Sequence, residues 1–398
     1  MNIKGKEISN YTIVAAIILA VVIIAAVAYF MLRDTGTAAP GERDGFFGFL
    51  FGGGDTPPEP LTGSTDSKTD DKTPQYLFRI STEPVAGATL SPTDGRVRYF
   101  KKSIGNLFEN TFTGNEEMRI SNVTIPAVLN AQWTPSKEYA VVSSYADGGS
   151  KRLWLHIKGT STITSAFLPS DIQEIAVSHT EEKIIYSVPA SGKTALLTAR
   201  PDNTAVKNIY TTPAADFEIV WPTANTISLK TKSSAYASSF FYALNPATGA
   251  LTRILAEKEG LDILWSPGGT HALVMETAQE GTRVSLYVLT MKDSKLTTLP
   301  FITLPEKCVW SAVQKPLTLY CAVPKSIPAG TNLPDEWWQG TTSFNDSLER
   351  IIIENGIQKQ QLLPAHEFDG INLFLAKDDA FLFFTNKKDG ILWGLRLK

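Results

Sequence analysis

The chain has 398 residues, 43% of them hydrophobic, and a formal net charge of −3 at pH 7. Such a chain can bury a large core, but it lacks the excess of Lys and Arg that an electrostatic binder of nucleic acid needs. With two cysteines and four histidines it is neither a disulfide-rich scaffold nor a cysteine-rich zinc module, and we expect no metal and no cofactor.

The N-terminal segment 13–32 contains only apolar or aromatic side chains. As a helix it is about 30 Å long, the thickness of a bilayer core, so we predict a transmembrane helix. Lys4 and Lys6 precede it and favour a cytoplasmic tail over 1–12, with the remainder outside the cytoplasm of a single-pass cell (inner) membrane protein. Alternatively, Ala26-Val27-Ala28 is a signal-peptide cleavage site, and the protein is secreted.

Residues 33–74 are rich in Gly, Pro, Ser, Thr and Asp, which predicts a flexible linker. Four phenylalanines within it lie beside a glycine run. They are either a foothold on a membrane or partner, or an apolar patch that folds back on the following domain. These residues are Phe46, Phe47, Phe49 and Phe51.

A sequence pattern recurs through residues 75–398: an apolar run, a short polar turn and a second apolar run. We call each occurrence a phrase. The phrases begin 43, 44, 44, 44, 45 and 65 residues apart. A period of roughly 40–45 residues with strand-like content is typical of a β-propeller blade. We therefore predict an all-β, seven-bladed β-propeller of four-stranded antiparallel blades. The phrases begin at Leu90, Trp133, Val177, Trp221, Trp265, Trp310 and Leu375.

The second repeat shows the plan of one blade. Its predicted strands are Leu129–Trp133, Tyr139–Ser144, Arg152–Ile157 and Thr162–Phe167, separated by turn residues. The recurring tryptophan is predicted to pack between neighbouring sheets, with its indole N–H on a carbonyl at a sheet edge.

The two ends of the repeat region complement each other. The last repeat supplies three strands, and residues 75–81 are predicted to complete that blade as its fourth strand. Such closure leaves no unpaired sheet edge between the first and last blades.

Cys308 and Cys321 are equidistant from a hairpin centre between Gln314 and Lys315. With a symmetric turn they face each other on adjacent strands, within reach of a disulfide. A register slip of one residue would leave two buried free thiols instead.

The long sixth step points to an insertion of about 20 residues, here assigned to 324–345. Adjacent tryptophans beside acids and prolines have the composition of a binding hot spot. Alternatively, the tryptophans plug the channel or cap blade six as a local core. The binding candidates are Asp335, Glu336, Trp337, Trp338 and Phe344.

Several motifs resemble the TolB-like family of WD-like propellers over nearly all of the chain after residue 75. The resemblance implies a propeller, and it implies that the 324–345 loop emerges on the face where ligands commonly dock. Similar repeats occur in binding scaffolds and in accessory domains of hydrolases. The motifs are Trp265-Ser266-Pro267-Gly268-Gly269, Ser91-Pro92-Thr93-Asp94-Gly95, Leu153-Trp154, Leu286-Tyr287, and Ala247-Thr248-Gly249 before Thr252-Arg253-Ile254.

The sequence contains no Gly-x-Ser-x-Gly elbow, His-Glu-x-x-His pair or phosphate-binding glycine loop. We therefore predict a membrane-anchored extracytoplasmic propeller that binds a protein or an envelope component, is not an enzyme and does not bind nucleic acid. The alternative is a glycan-active or hydrolytic enzyme whose acids converge at the channel mouth. Two or more carboxylates within roughly 5–10 Å there would favour the enzyme.

Overall fold

The described part of the chain is built almost entirely of β-strands. Within it are 27 strands, one helical turn, α1 (Asp335–Trp338), and two 3-10 turns, Pro305–Lys307 and Lys377–Asp379. The prediction of an all-β domain of four-stranded antiparallel sheets is confirmed. The predictions for 1–12, 13–32 and 33–74 lie outside the described residues. The computed structural model describes residues 76–146, 148–158, 162–313, 315–354 and 356–398.

The strands form six antiparallel sheets, which we number in chain order. Sheet 1 contains β2 (Val85–Leu90), β3 (Arg96–Lys101), β4 (Leu107–Thr111) and β5 (Met118–Arg119). Sheet 2 contains β6 (Val128–Trp133), β7 (Tyr139–Ala146), β8 (Gly149–Lys158) and β9 (Thr162–Phe167). Sheet 3 contains β10 (Ile175–Val177), β11 (Ile184–Ala190), β12 (Lys193–Ala199) and β13 (Lys207–Thr212).

Sheet 4 has seven strands. They are β14 (Phe217–Thr223), β15 (Thr226–Thr231), β16 (Ser238–Leu244), β17 (Leu251–Trp265), β18 (His271–Ala278), β19 (Arg283–Thr290) and β20 (Lys295–Thr298). Sheet 5 contains β21 (Cys308–Trp310), β22 (Leu317–Pro324), β23 (Asp346–Ile353) and β24 (Ile357–Leu363). Sheet 6 contains β25 (Gly370–Leu375), β26 (Phe381–Asn386), β27 (Leu392–Arg396) and, at its edge, β1 (Leu77–Arg79).

Sheet 4 consists of two four-stranded halves that share β17. The first part of β17 pairs with β16 from Leu251 to Glu259, and its last part pairs with β18 from Glu259 to Trp265, with a register shift between Glu259 and Asp262. Gly260, with a φ of +56°, lies between the two parts. We call β14 to β17 sheet 4a and β17 to β20 sheet 4b.

Buried apolar side chains form a core between each sheet and the next in the chain, and a further core joins the last sheet to the first. Each core is formed by the facing sides of two sheets, which is how stacked sheets bury their apolar surfaces. Representative pairs, from sheets 1 and 2 onward, are Phe100 with Leu155, Val141 with Ile184, Ile185 with Trp221, Phe241 with Trp265, Met275 with Trp310, Leu348 with Phe384, and Phe383 with Tyr99.

The first described strand lies beside the last. β1 pairs with β27 in the register Leu77 to Leu395, and the Ile80 N–H donates to the Leu392 carbonyl at 2.9 Å. Asn110 of sheet 1 in turn donates its side-chain N–H to the Ile80 carbonyl at 2.9 Å. The start of the described chain therefore contacts both sheet 6 and sheet 1.

The recurring tryptophans pack between sheets as predicted, but only two make the predicted hydrogen bond. The indole N–H groups of Trp133 and Trp310 donate to the carbonyls of Gly87 and Leu264 in the preceding sheet, at 2.7 and 3.0 Å. Trp221 and Trp265 are both buried, yet their indole nitrogens have no hydrogen-bond partner among the described residues.

Cys308 and Cys321 are joined by a disulfide. They are directly opposed in the register of β21 and β22, with Cα atoms 4.1 Å apart. Both lie in the core between sheets 4b and 5.

Candidate functional site

The connection between β22 and β23, residues 325–345, extends over the loops of other sheets. We call it the insert. The α1 residue Asp335 accepts hydrogen bonds from the Ser234 hydroxyl at 2.9 Å and the Ala235 N–H at 2.7 Å, both in the β15–β16 connection. The Leu333 N–H donates to the carbonyl of Gly281, in the β18–β19 connection, at 3.1 Å.

A third contact holds the insert to sheet 6. Lys387, in the β26–β27 connection, donates its ammonium to the Trp337 carbonyl, and the same nitrogen lies 3.7 Å from the Trp337 ring centroid. The insert therefore contacts second-to-third-strand connections of sheets 4a, 4b and 6. The surface formed by residues 325–345 and these connections is called the insert face.

Trp337 and Phe344 belong to the core. Their exposed fractions are 1% and 2%. The Trp337 indole N–H donates to the two carboxylate oxygens of Asp369 at 3.0 and 3.2 Å, and the Phe344 N–H donates to the same carboxylate at 3.1 Å. The sequence left two interpretations open for the binding candidates: a binding hot spot or a local core. Trp337 and Phe344 lie in the local core.

Asp369 itself belongs to a buried charge network. The Lys307 ammonium donates to the Asp346 carboxylate at 2.7 Å and also to Asp369, and all three side chains are buried. Burial raises the pKa of Asp346, although Lys307 opposes the shift. Breaking one partner of such a pair leaves a buried charge uncompensated. This network joins the insert to the edges of sheets 5 and 6.

The other three binding candidates lie partly at the surface. Asp335 is used in the contact with sheet 4a, and the Glu336 carboxylate accepts from the Thr342 hydroxyl at 3.2 Å, which closes the turn after α1. Trp338 is half-buried, and its indole N–H donates to Glu306 at 2.9 Å. Of the three, only Trp338 has a side chain directed toward a further group of charges.

That group is a series of four carboxylates at intervals of 44 residues: Glu174, Glu218, Asp262 and Glu306. They lie at the beginning of the first strand of sheets 3 and 4a, the corresponding part of β17 in sheet 4b, and the turn before β21 in sheet 5. We call them the carboxylate set. Sequence reasoning missed this set, although Glu174, Glu218 and Asp262 each lie three residues before the repeat positions Val177, Trp221 and Trp265. Glu306 lies four residues before Trp310, one residue earlier than the repeat would place it.

Lys230 bridges two members of the set. Its ammonium is 2.6 Å from Glu218 and 3.5 Å from Asp262, and it donates to the Leu261 carbonyl at 3.1 Å. Burial lowers the pKa of Lys230, but the two carboxylates outweigh burial and the net shift is upward. Lys230 therefore remains an ammonium between the two carboxylates.

The pKa of Glu306 is raised to about 7. Burial is the largest cause, the charge of Asp262 is the next, and Glu218 adds to the rise, whereas the Trp338 hydrogen bond and Lys230 oppose it. Glu306 as a whole residue is nevertheless exposed to solvent. Burial also raises the pKa of Glu174, with Glu218 contributing. Within the set, Glu306 therefore changes its charge near neutral pH.

The described ranges contain neither a metal-binding cluster nor a membrane-spanning helix. Among the described residues, no group of three or more His, Cys, Asp or Glu side chains is arranged to hold a metal ion. In the same ranges no helix is both long and apolar enough to cross a membrane. Phe46, Phe47, Phe49 and Phe51 lie outside the described residues.

Several solved structures are similar to this chain. An oligogalacturonate lyase in complex with manganese matches with a TM-score of 0.55 and 9% identity, over 81% of this chain and 90% of its own. The tricorn protease gives a TM-score of 0.51 and 7% identity over 82% of this chain, which spans 34% of the protease chain. TolB from Acinetobacter baumannii gives 0.42 and 11%, over 79% of this chain and 63% of its own. The similar structures thus include TolB and other propeller folds.

No family model matches the chain, and no curated protein matches its sequence.

The prediction that the protein is not an enzyme is wrong, because a propeller-like repeat does not exclude catalysis. One structure with this fold is a lyase, so the architecture does not separate binding from catalysis. At 9% identity the similarity shows the fold alone, and function has to be argued from the residues of the insert face and the carboxylate set.

Proposed function

We propose that residues 75–398 form a seven-bladed propeller that binds a protein or an envelope component on its insert face. The seven blades are sheets 1, 2, 3, 4a, 4b, 5 and 6. The cyclic series of cores supports this count, because the core between sheets 6 and 1 follows six cores between successive units. In this arrangement residues 75–81 complete the seventh blade.

The observation that carries the binding role is the anchoring of the insert. Its backbone and side chains are hydrogen bonded to sheets 4a, 4b and 6, so its outer surface is held in place before any partner arrives. Trp338 is half-buried in this surface, and Tyr236, whose hydroxyl is hydrogen bonded to Asn332 of the insert, is 57% exposed. Aromatic side chains held this way lose little entropy when a partner binds.

We also propose that the protein is anchored in a membrane by its N-terminal segment. Segment 13–32 would anchor the protein as a single-pass helix, with 1–12 in the cytoplasm and the propeller outside, joined by the linker 33–74. A reporter enzyme that is active only outside the cytoplasm, fused after Lys398, should then be active. Activity confined to a cytoplasmic reporter would contradict the orientation.

A second candidate function is catalysis on a neutral or cationic glycan. It is favoured by the pKa of about 7 for Glu306, which suits a general acid, beside two carboxylates bridged by Lys230. A polyanion such as oligogalacturonate would be repelled by these carboxylates. Release of reducing ends from chitosan or from a neutral glycan, lost in Glu306→Gln, would support this candidate.

The binding function is tested by capture from native membranes with wild type and with Trp338→Ala. The variant should retain at most about a tenth of the captured partner, because a central aromatic residue contributes about 2 kcal/mol or more to an interface. Phe167→Ala is the matched control, since Phe167 is 72% exposed on the edge strand β9, away from the insert. Equal losses in both variants, or none in Trp338→Ala, would contradict binding at the insert face.

A further inference from the structure

A cavity of about 430 Å³ lies between sheets 3 and 4a. It is bordered by the β10–β11 and β14–β15 hairpins and by the β12–β13 and β16–β17 connections. These connections lie at the strand ends opposite to those that carry the insert face, because the strands of each sheet are antiparallel. The cavity is therefore separate from the insert face, and its volume lies in the range of small-molecule sites.

The most buried residue that lines the cavity is Trp221, the repeat tryptophan of sheet 4a. Trp133 and Trp310 donate their indole N–H groups to the carbonyl 46 residues earlier in the chain. For Trp221 that residue is Ile175, whose carbonyl instead accepts from the Gln132 side chain at 3.1 Å. The Trp221 indole N–H thus has no acceptor among the described residues. A buried donor without an acceptor is costly, and a ligand that supplies one recovers that cost.

Cations outnumber carboxylates among the lining residues. Lys183 and Lys207 supply two ammonium groups, and Glu181 supplies the one carboxylate among the described residues of the lining. The Glu181 carboxylate is 3.1 Å from the Lys183 ammonium. Lys207 has no such partner among the described residues, and its side chain is exposed. The lining therefore has one ammonium in excess, which favours an acceptor that carries a negative charge.

The rest of the lining is largely apolar. Ile209 and Pro246 are half-buried there, and three alanines extend the same surface. Burial of these side chains against an apolar group is favourable. An organic acid therefore fits the cavity better than an inorganic anion does.

We propose that this cavity, which we call the carboxylate site, binds an organic carboxylate that has an apolar body. Lys207 would donate to the carboxylate, Trp221 would gain an acceptor, and the apolar body would contact Ile209 and Pro246. The carboxylate belongs either to a free small molecule or to the C-terminus of a polypeptide that ends in an apolar residue. This site is additional to the proposed binding function of the insert face.

The test is calorimetric titration of the full-length protein in detergent with benzoate and with benzamide, its uncharged counterpart. Benzoate should bind wild type at least about tenfold more tightly than benzamide, because only benzoate forms a charge-assisted hydrogen bond to an ammonium. Lys207→Gln should weaken the binding of benzoate about tenfold for the same reason.

Two further variants sharpen the titration. Glu181→Gln should strengthen the binding of benzoate severalfold, because it removes the carboxylate that now occupies Lys183. Lys193→Gln is the matched control, since Lys193 is an exposed lysine of sheet 3 that does not line the cavity, and it should bind benzoate like wild type. Both substituted side chains reach the surface, and circular dichroism checks the fold of each variant.

Equal binding of benzoate and benzamide, or equal binding of benzoate by wild type and Lys207→Gln, would overturn the inference. So would acetate or inorganic phosphate that binds as tightly as benzoate, because the apolar lining would then contribute nothing. An acetylated tetrapeptide with a C-terminal phenylalanine separates the two sources. Tighter binding of its free acid than of benzoate supports a polypeptide terminus as the ligand, and weaker binding supports a small molecule.

Discussion

At the scale of single residues, burial separates two adjacent tryptophans that the sequence presents as equivalent. Trp337 is fully buried because its indole N–H pairs with Asp369, whereas Trp338 faces Glu306 at the surface. Sequence alone could not distinguish them, since Asp369 is distant in the chain and reaches the insert through sheet 6. The carboxylate set, by contrast, carried a readable signal in its 44-residue spacing.

The two tryptophans should differ in their contribution to stability. Trp337→Ala should lower the free energy of unfolding by about 3–5 kcal/mol, because it leaves a cavity and removes the donor from the buried Asp369 carboxylate. Trp338→Ala should cost about 1 kcal/mol, since this side chain is half-buried. Urea titration of both variants measures the difference, and equal costs would contradict the assignment of Trp337 to the core.

Glu306 should make stability depend on pH. Its pKa is about 7 in the folded protein and 4.5 in the unfolded chain, so the folded state holds the proton more tightly. The contribution of this group to the free energy of unfolding is therefore largest below pH 4.5, falls as the pH rises toward 7, and is constant above that. Wild type should therefore lose stability relative to Glu306→Gln, which does not titrate, as the pH rises from 5 to 8 in denaturant titrations. A difference independent of pH would show that burial does not shift this carboxyl.

At the scale of elements, the strands of the second repeat agree with prediction to within a few residues, because apolar alternation and turn residues mark both ends. β17 was harder to predict. Its continuity through both halves of sheet 4 was missed because Glu257, Lys258 and Gly260 are typical of a loop. The structure instead accommodates them with a positive φ at Glu257 and Gly260 and an irregular register.

Attachment of the insert depends on a glycine. Gly281 has a φ of +86°, and a Cβ there would lie 2.5 Å from the Leu333 carbonyl oxygen. Gly281→Ala should displace the insert and destabilise the protein by about 2 kcal/mol or more, through backbone strain and the clash together. Gly330→Ala is the control within the same insert, because its φ is +80° but no atom lies within 4 Å. Limited proteolysis at the insert should accelerate in Gly281→Ala alone, and equal rates would contradict the contact.

At the scale of the whole molecule, the series of cores explains why distant ends of the chain depend on each other. β1 belongs to the last sheet, and Ile80 joins the core shared by sheets 6 and 1. The repeat period predicted a series of four-stranded antiparallel sheets. The path of the insert across sheets 4a, 4b and 6 could not be predicted, because its contacts join residues far apart in the chain.

Removal of β1 should therefore destabilise the entire domain. A chain that begins at residue 82 loses the strand beside β27 and the Ile80 carbonyl that Asn110 contacts, so it should unfold at lower denaturant and be cleaved faster than a chain that begins at residue 76. Coincident unfolding of the two chains would show that the ends do not depend on each other.

Binding at the insert face is tested most directly by photo-crosslinking in native membranes, with a photoreactive phenylalanine analogue placed at position 338 or, separately, at position 167. Both positions hold aromatic residues, but only the first lies on the insert face. A discrete crosslinked species from position 338, absent from position 167 and abolished by excess unlabelled protein, is the expected result. The same species from both positions, or from position 167 alone, would contradict binding at the insert face.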